Sequence, residues 1–309
     1  MAFSLSFWRE GTGPGPFPAP YLQRLTFSAA AAIPGALGAF LAATLSTVGR
    51  AGFVRDQAAD DIRGIASALD AVRITLPLDP EKAPALALAT QMLFDDAVTL
   101  ATAGSVGNAY GPLSFIEAQS GTEAAQSPVA QRIGALVAGL RDAAGPADAV
   151  TLFVPLTEPA APDGVIPQTP SRRIQLANSA ALALTLQLTA LAEWAVAVTE
   201  NDYRDRRAAI QARADLAERF DAALDGLAGP LAYPLYVAMS DVRDNAVQYL
   251  SRLITDLAPV QIYETSTSMP SLWWSYRLYG DAGRAEELIG RNRAMHASFM
   301  PLEIEALAV

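Results

Sequence analysis

The chain has 309 residues, no cysteine, one histidine (His296) and a formal net charge of −10. That length can bury a sizeable core unaided, and the composition excludes disulfides, thiol catalysis, thiolate metal sites and histidine clusters for zinc or iron within one chain. Acidic residues number 32 against 22 basic ones, of which Lys82 is the single lysine, and the arginines come singly or in pairs such as Arg172 and Arg173. Binding a phosphate backbone needs clustered cations, so no direct nucleic-acid binding is expected.

Residues 1–23 (MAFSLSFWREGTGPGPFPAPYLQ) carry Pro14, Pro16, Pro18 and Pro20 in close succession. Prolines this dense prevent a helix and block ladder hydrogen bonds. The segment reads as an extended N-terminal arm whose Phe3, Phe7 and Trp8 have no core of their own and rest on a neighbouring surface.

Residues 24–105 read as a first helical block. Residues 25–49 (LTFSAAAAIPGALGAFLAATLSTVG) hold no charge and are flanked by Arg24 and Arg50. The run is long enough to span a membrane. It is rich in alanine and glycine and interrupted by Pro34-Gly35, so the preferred reading is a small-residue helix packed against other helices, with a membrane span as the alternative. Left uncovered, it would expose more apolar surface than a monomer carries, which points to partners. Residues 53–72 then read as an amphipathic helix with Phe53, Ala58, Ile62, Ile65 and Leu69 on one side and Arg55, Asp56, Asp60 and Asp61 on the other. Residues 79–84 read as a turn and 85–103 as a further helix.

The acidic pairs Asp60-Asp61, Asp95-Asp96 and Glu286-Glu287 invite a catalytic reading. Adjacent helical residues diverge by about 100°, so each pair reads instead as a solvated face. No G-x-S-x-G, G-x-x-x-x-G-K or G-x-G-x-x-G motif occurs. The sequence thus assigns no catalytic, metal or cofactor residue, and the chain reads as a non-enzyme.

Residues 106–170 are richer in glycine and proline and read as a loop-rich connector, with short helical signals over 127–143. Within it, residues 155–170 (PLTEPAAPDGVIPQTP) are expected to cross the surface between two helical blocks. Residues 171–256 read as a bundle of long helices. Leu184, Leu188, Leu191, Ala195 and Val198 make one stripe, Ile210, Ala217 and Leu224 a second, and Val242, Ala246, Tyr249, Leu253 and Leu257 a third.

Residues 257–309 read as a small α+β module of order strand, helix, helix, strand. Residues 261–265 and 302–307 have strand character. Ser268 and Pro270 supply a helix start, Gly280 a stop, Asp281 a cap and Asn292 a close. Leu272, Tyr276, Leu288, Ile289 and Ile304 are the expected core of this module. The fold class is therefore mainly α: an elongated helical bundle with an N-terminal extended arm and a C-terminal βααβ module.

The order of the terminal unit, with L-I-x-x-N at Leu288 to Asn292, resembles a LysM module. The usual G-D-T-L turn after the first strand is replaced by STSMPSL at 266–272. The longer string from 265 to 307 resembles the C-terminal end of the phage Mu-type DNA circularisation protein family, tail proteins of contractile-tailed phages. The matching features are Met269-Pro270, YRLYGD at 276–281, RAEELIGRN at 284–292, His296, Phe299 to Pro301 and LEIEAL at 302–307. GRAGFVRDQAADDI at 49–62 resembles the same family's middle region. Family members begin with a separate N-terminal domain, and the resemblance implies that this sequence starts after it.

That resemblance implies a virion protein of the contractile tail, at the junction of tail tube and baseplate hub. Assembled in the host cytoplasm, it would work by contact with tube and hub proteins and with copies of itself, as a trimer or hexamer. The alternative is a peptidoglycan-binding LysM-type protein on a helical stalk, with residues 25–49 as its membrane anchor where they span.

Overall fold

A computed structural model describes residues 19–77, 80–102, 112–159 and 166–308. Residues 1–18 of the expected arm, with Phe3, Phe7 and Trp8, lie outside the described residues; residues 19–23, expected to be extended, instead open the first helix, with Pro20 in its first turn, where a missing N–H is tolerated. Those described are mainly helical, with eleven α-helices and one two-stranded sheet. In chain order they are α1 (Ala19–Thr44), α2 (Gly52–Thr75), α3 (Ala83–Thr102), α4 (Pro112–Ala144), α5 (Pro146–Leu152), α6 (Val154–Thr157), α7 (Pro170–Glu200), α8 (Arg206–Asp225) and α9 (Tyr233–Asp256). Then follow β1 (Val260–Glu264), α10 (Ser271–Tyr279), a 3-10 turn (Ala282–Arg284), α11 (Ala285–Asn292) and β2 (Glu303–Leu307).

The helical body is built around α7. Thr169 caps its start by accepting from Arg172 N at 3.3 Å, and Pro170 occupies the first turn, where its missing N–H costs nothing. From Leu188 to Thr199 every residue is buried. A helix apolar on all sides belongs at the centre of its fold, and the alanines at 190, 192, 195 and 197 let neighbours come close. α1, α2, α4, α5, α6, α8 and α9 all pack on it. Asn178 is fully buried on the same helix and closes both its polar atoms on Ser46, accepting from the Ser46 N–H at 2.9 Å and donating to the Ser46 carbonyl at 3.0 Å.

Among the described residues, two helices, Pro20–Thr44 and Pro170–Glu200, are long and apolar enough to cross a membrane. In the fold the large residues of α1, Leu22, Ile33, Leu37 and Leu41, are buried against α4, α7 and α9 of the same chain. The argument that this run needs outside partners therefore lapses: what it leaves to solvent is mostly alanine and glycine.

The segment expected to be a loop-rich connector, 106–170, carries instead the 33-residue α4 followed by α5 and α6. Helical signals were expected there only over 127–143, whereas the helix begins at Pro112. A Cβ at Gly134 would sit 2.4 Å from Cγ of Pro34, so this glycine permits the crossing of α1 and α4. The two blocks on either side are likewise not separate, since one apolar core runs from Ala30 on α1 to Leu250 on α9. On α8 the expected stripe is out of phase: Ala209, Leu216, Phe220 and Ala223 are buried, whereas Ile210 is exposed.

Candidate interaction surface on the C-terminal module

β1 and β2 pair antiparallel, with Val260 opposite Leu307 and Tyr263 opposite Ile304. The ladder extends through Thr265 N to Leu302 O at 2.7 Å and Ala308 N to Pro259 O at 2.8 Å. α10 ends at Gly280, whose φ of 69° is the left-handed conformation that glycine adopts without strain. Asp281 accepts from Gly283 N at 2.8 Å and opens the 3-10 turn that leads into α11.

Between sheet and helices lies a second apolar core of Trp274, Leu288, Met300, Ile304 and Ala306, with Ile289 and Tyr263 partly buried against it. Leu288 and Ile304 are fully buried. Asn292 does more than close its helix. Its Nδ2 donates to Leu288 O at 2.9 Å and Glu305 O at 3.0 Å, while its Oδ1 accepts from Glu305 N at 2.7 Å, which staples the end of α11 to β2.

Two of the expected core residues are on the surface. Leu272 is 61% exposed and Tyr276 70%, because α10 turns Ser271, Trp274 and Ser275 inward instead. The stretch LWWSYRLY is apolar on every side, so periodicity cannot fix its phase. The small Ser271 and Ser275 beside a large Trp274 are the available signal, since small residues let a short helix lie close to its neighbours, here with Ser275 Oγ donating to Asp281 O.

This rotation creates an exposed apolar face. Leu272, Trp273 and Tyr276 line the outer side of α10, and the Arg277 guanidinium lies 5.0 Å from the centre of the Trp273 ring. The segment before β2 adds exposed Met295, Phe299 and Leu302. It is fastened to the start of α10 by Ser271 N to Ala297 O at 2.7 Å and Met300 N to Met269 O at 3.1 Å. His296 packs on Phe299 at 5.7 Å and accepts from Ser298 N at 3.1 Å through Nδ1, so its ring is fixed in the loop.

The module is anchored to the helical body through Asp205. This carboxylate caps α8 by accepting from Ala208 N at 2.9 Å, and it also pairs with Arg291 of α11 at 2.7 Å. Burial by itself would raise the Asp205 carboxyl, but the Ala208 N–H and the Arg291 guanidinium prevail and hold it below the usual range. Arg207 and Glu305 make a more exposed second link at 3.1 Å. On the inner side, burial raises the Tyr279 hydroxyl, which accepts from Leu307 N at 2.9 Å.

The acidic pairs are occupied structurally. Asp61 accepts from Gln57 at 2.8 Å and from Ser179 at 2.5 Å, joining α2 to α7, while Asp60 pairs with Arg63. Asp96 corrects the solvated reading of its pair: it is buried and paired with Arg132. Glu287 accepts from Arg284 and Arg291. Among the described residues no group of three or more His, Cys, Asp or Glu side chains is placed to hold a metal ion.

Comparison with protein-family models gives no match for the chain, and neither does comparison with curated proteins.

Proposed function

We propose that this chain is a structural component of a contractile tail, placed near the junction of tail tube and baseplate hub, with its C-terminal module as a contact for a neighbouring tail protein. The tail assignment rests on the sequence resemblance at 49–62 and 265–307. The mode of action rests on one observation: Leu272, Trp273, Tyr276 and Phe299 stand exposed on a small module that has its own core and is fixed to the helical body. Tryptophan, tyrosine and arginine at the centre of an apolar patch are the residue types that dominate protein contacts.

A peptidoglycan reading of the LysM-like module has the exposed rings of Trp273 and Tyr276 in its favour, since aromatic faces stack on sugars. A protein neighbour suits the face better. Leu272, Met295 and Leu302 offer nothing to sugar hydroxyls, and the Trp273 ring is already shared with Arg277. The test is to purify intact particles from a producing strain and look for the chain by mass spectrometry and imaging. It should be present as a ring of three or six copies, and Trp273→Ala/Tyr276→Ala should lower its incorporation. Absence from particles, or retention on insoluble peptidoglycan that Trp273→Ala abolishes, would overturn the tail reading.

A further inference from the structure

The two ends of the helical body differ. Gln23 donates to Thr199 O at 3.0 Å, so α1 starts at the C-terminal end of α7, close to Asp205 and the module. α8 runs away from that end and α9 returns to it. Arg206 bonds Leu257 O at 3.1 Å at the near end, Arg213 bonds Ser251 at 3.2 Å further along, and Arg243 meets Asp221 at 2.9 Å beyond that. The turn joining α8 to α9 is therefore at the far end. The 20 residues of α8 put it about 30 Å from the module end.

On that turn Leu227, Gly229, Pro230, Tyr233 and Tyr236 line an open depression of about 440 Å³. Tyr233 is 65% exposed, and Tyr236 stands exposed three residues on, on the same side of α9. Gly229, at φ 96°, reverses the chain there in a conformation closed to most other residues. Exposed tyrosines beside a proline in an open depression are the kind of aromatic lining that takes a proline-rich segment in the polyproline conformation.

The densest proline run in the sequence includes residues 14–18, PGPFP. With three residues per turn, Pro14 and Phe17 would share one edge, suited to the tyrosine pair. Its own chain cannot bring it there. Pro14 precedes Ala19 by five residues, at most about 18 Å of extended chain, against about 30 Å to the depression. We infer that residues 14–18 of one copy seat on the Tyr233–Tyr236 depression of a second copy. This rests on the assembly reading above and names the partner of the arm. The contact is head-to-tail, so its repetition adds copies until a ring closes.

The experiment is sedimentation of the full chain beside two variants: one lacking residues 1–18, and Tyr233→Ala/Tyr236→Ala. Circular dichroism checks that both keep their helices. The wild type should associate with rising concentration and each variant should stay monomeric. An equimolar mixture of the two, which leaves one intact arm and one intact depression, should give a 1:1 dimer and nothing larger. A labelled peptide of residues 11–21 should bind the arm-less chain at least about tenfold more tightly than the same chain carrying the two tyrosine changes. Tyr233→Phe/Tyr236→Phe should retain binding. A monomeric wild type, association unaffected by either change, or a mixture that stays monomeric overturns the contact. A chain found in particles yet monomeric in solution would sink this contact and leave the tail reading standing, whereas an associating chain absent from particles would do the reverse.

Discussion

Glu193 sits in the most buried stretch of α7, 5% exposed, and faces Arg141 of α4, which also bonds Asp142 at 2.6 Å. Burial pushes the Glu193 carboxyl above its ordinary value of 4.5, and Arg141 pulls back only part of that rise. Arg141 itself stays charged: burial lowers it, but Glu193 and Asp142 raise it by more. The folded chain thus binds the Glu193 proton more tightly than the unfolded chain does. Stability from this proton is fully present below 4.5 and is lost as pH rises through the raised folded value. The non-titrating Glu193→Gln isolates this effect. The wild type's stability relative to E193Q should increase as pH falls from about 7.5 toward 4.5, read as urea midpoints of both proteins across that range. A difference that is flat, or that shrinks on acidification, would show that the carboxyl is less buried than the fold makes it.

At the scale of elements, the crossing of α1 and α4 decides a contest between helix propensity and packing. Alanine is a better helix former than glycine by about 1 kcal/mol, so Gly134→Ala would be stabilising on an open face. Here the new methyl meets the Pro34 ring at 2.4 Å, and that ring is closed onto its own backbone and cannot rotate aside. Overpacking should win, and G134A should cost about 1–3 kcal/mol. Pro34→Ala removes the obstacle, so the double variant should recover most of the loss. A double-mutant cycle in thermal unfolding reads the coupling, and simple additivity would mean that the helices do not touch there. The Asp205 cap joins two elements in another way. Asp205→Asn keeps a capping oxygen but removes the charge facing Arg291, whose side chain is only 8% exposed. It should cost about 2 kcal/mol near neutral pH, the range of a hydrogen bond to a charged group. Because the folded Asp205 carboxyl lies below its ordinary 3.8, that difference should persist above 3.8 and vanish as pH falls through the folded value. The same contrasts show what the sequence made legible. α2 and β2 were readable because each alternates apolar and polar residues at its own period, whereas β1 leaves Ile262 exposed and packs Tyr263 on the core. α4 was legible only over 127–143; its first half was not, because Gly111, Pro112 and Gly121 read as loop signals. α10 was readable as a helix but not in its rotation, and with that the exposed face of Leu272 and Tyr276 was out of reach.

For the molecule as a whole, the two apolar cores predict two cooperative units. The larger core draws on α1 to α9, whereas the module's own core is built on five buried apolar residues and meets the body through the 257–259 link, Asp205–Arg291 and Arg207–Glu305. A core in so short a segment rarely supplies more than about 3–5 kcal/mol. Leu288→Ala, at a fully buried site, should remove about 2–5 kcal/mol, comparable to the whole. The module should then open while the body remains folded. Amide exchange on the full chain reads the two units separately. In L288A, protection should fall across residues 260–308 and hold across 188–199, where every side chain of α7 is buried. If protection were lost in both regions together, the chain would be one cooperative unit, and the exposed aromatic face would then be tied to the stability of the helices beneath it.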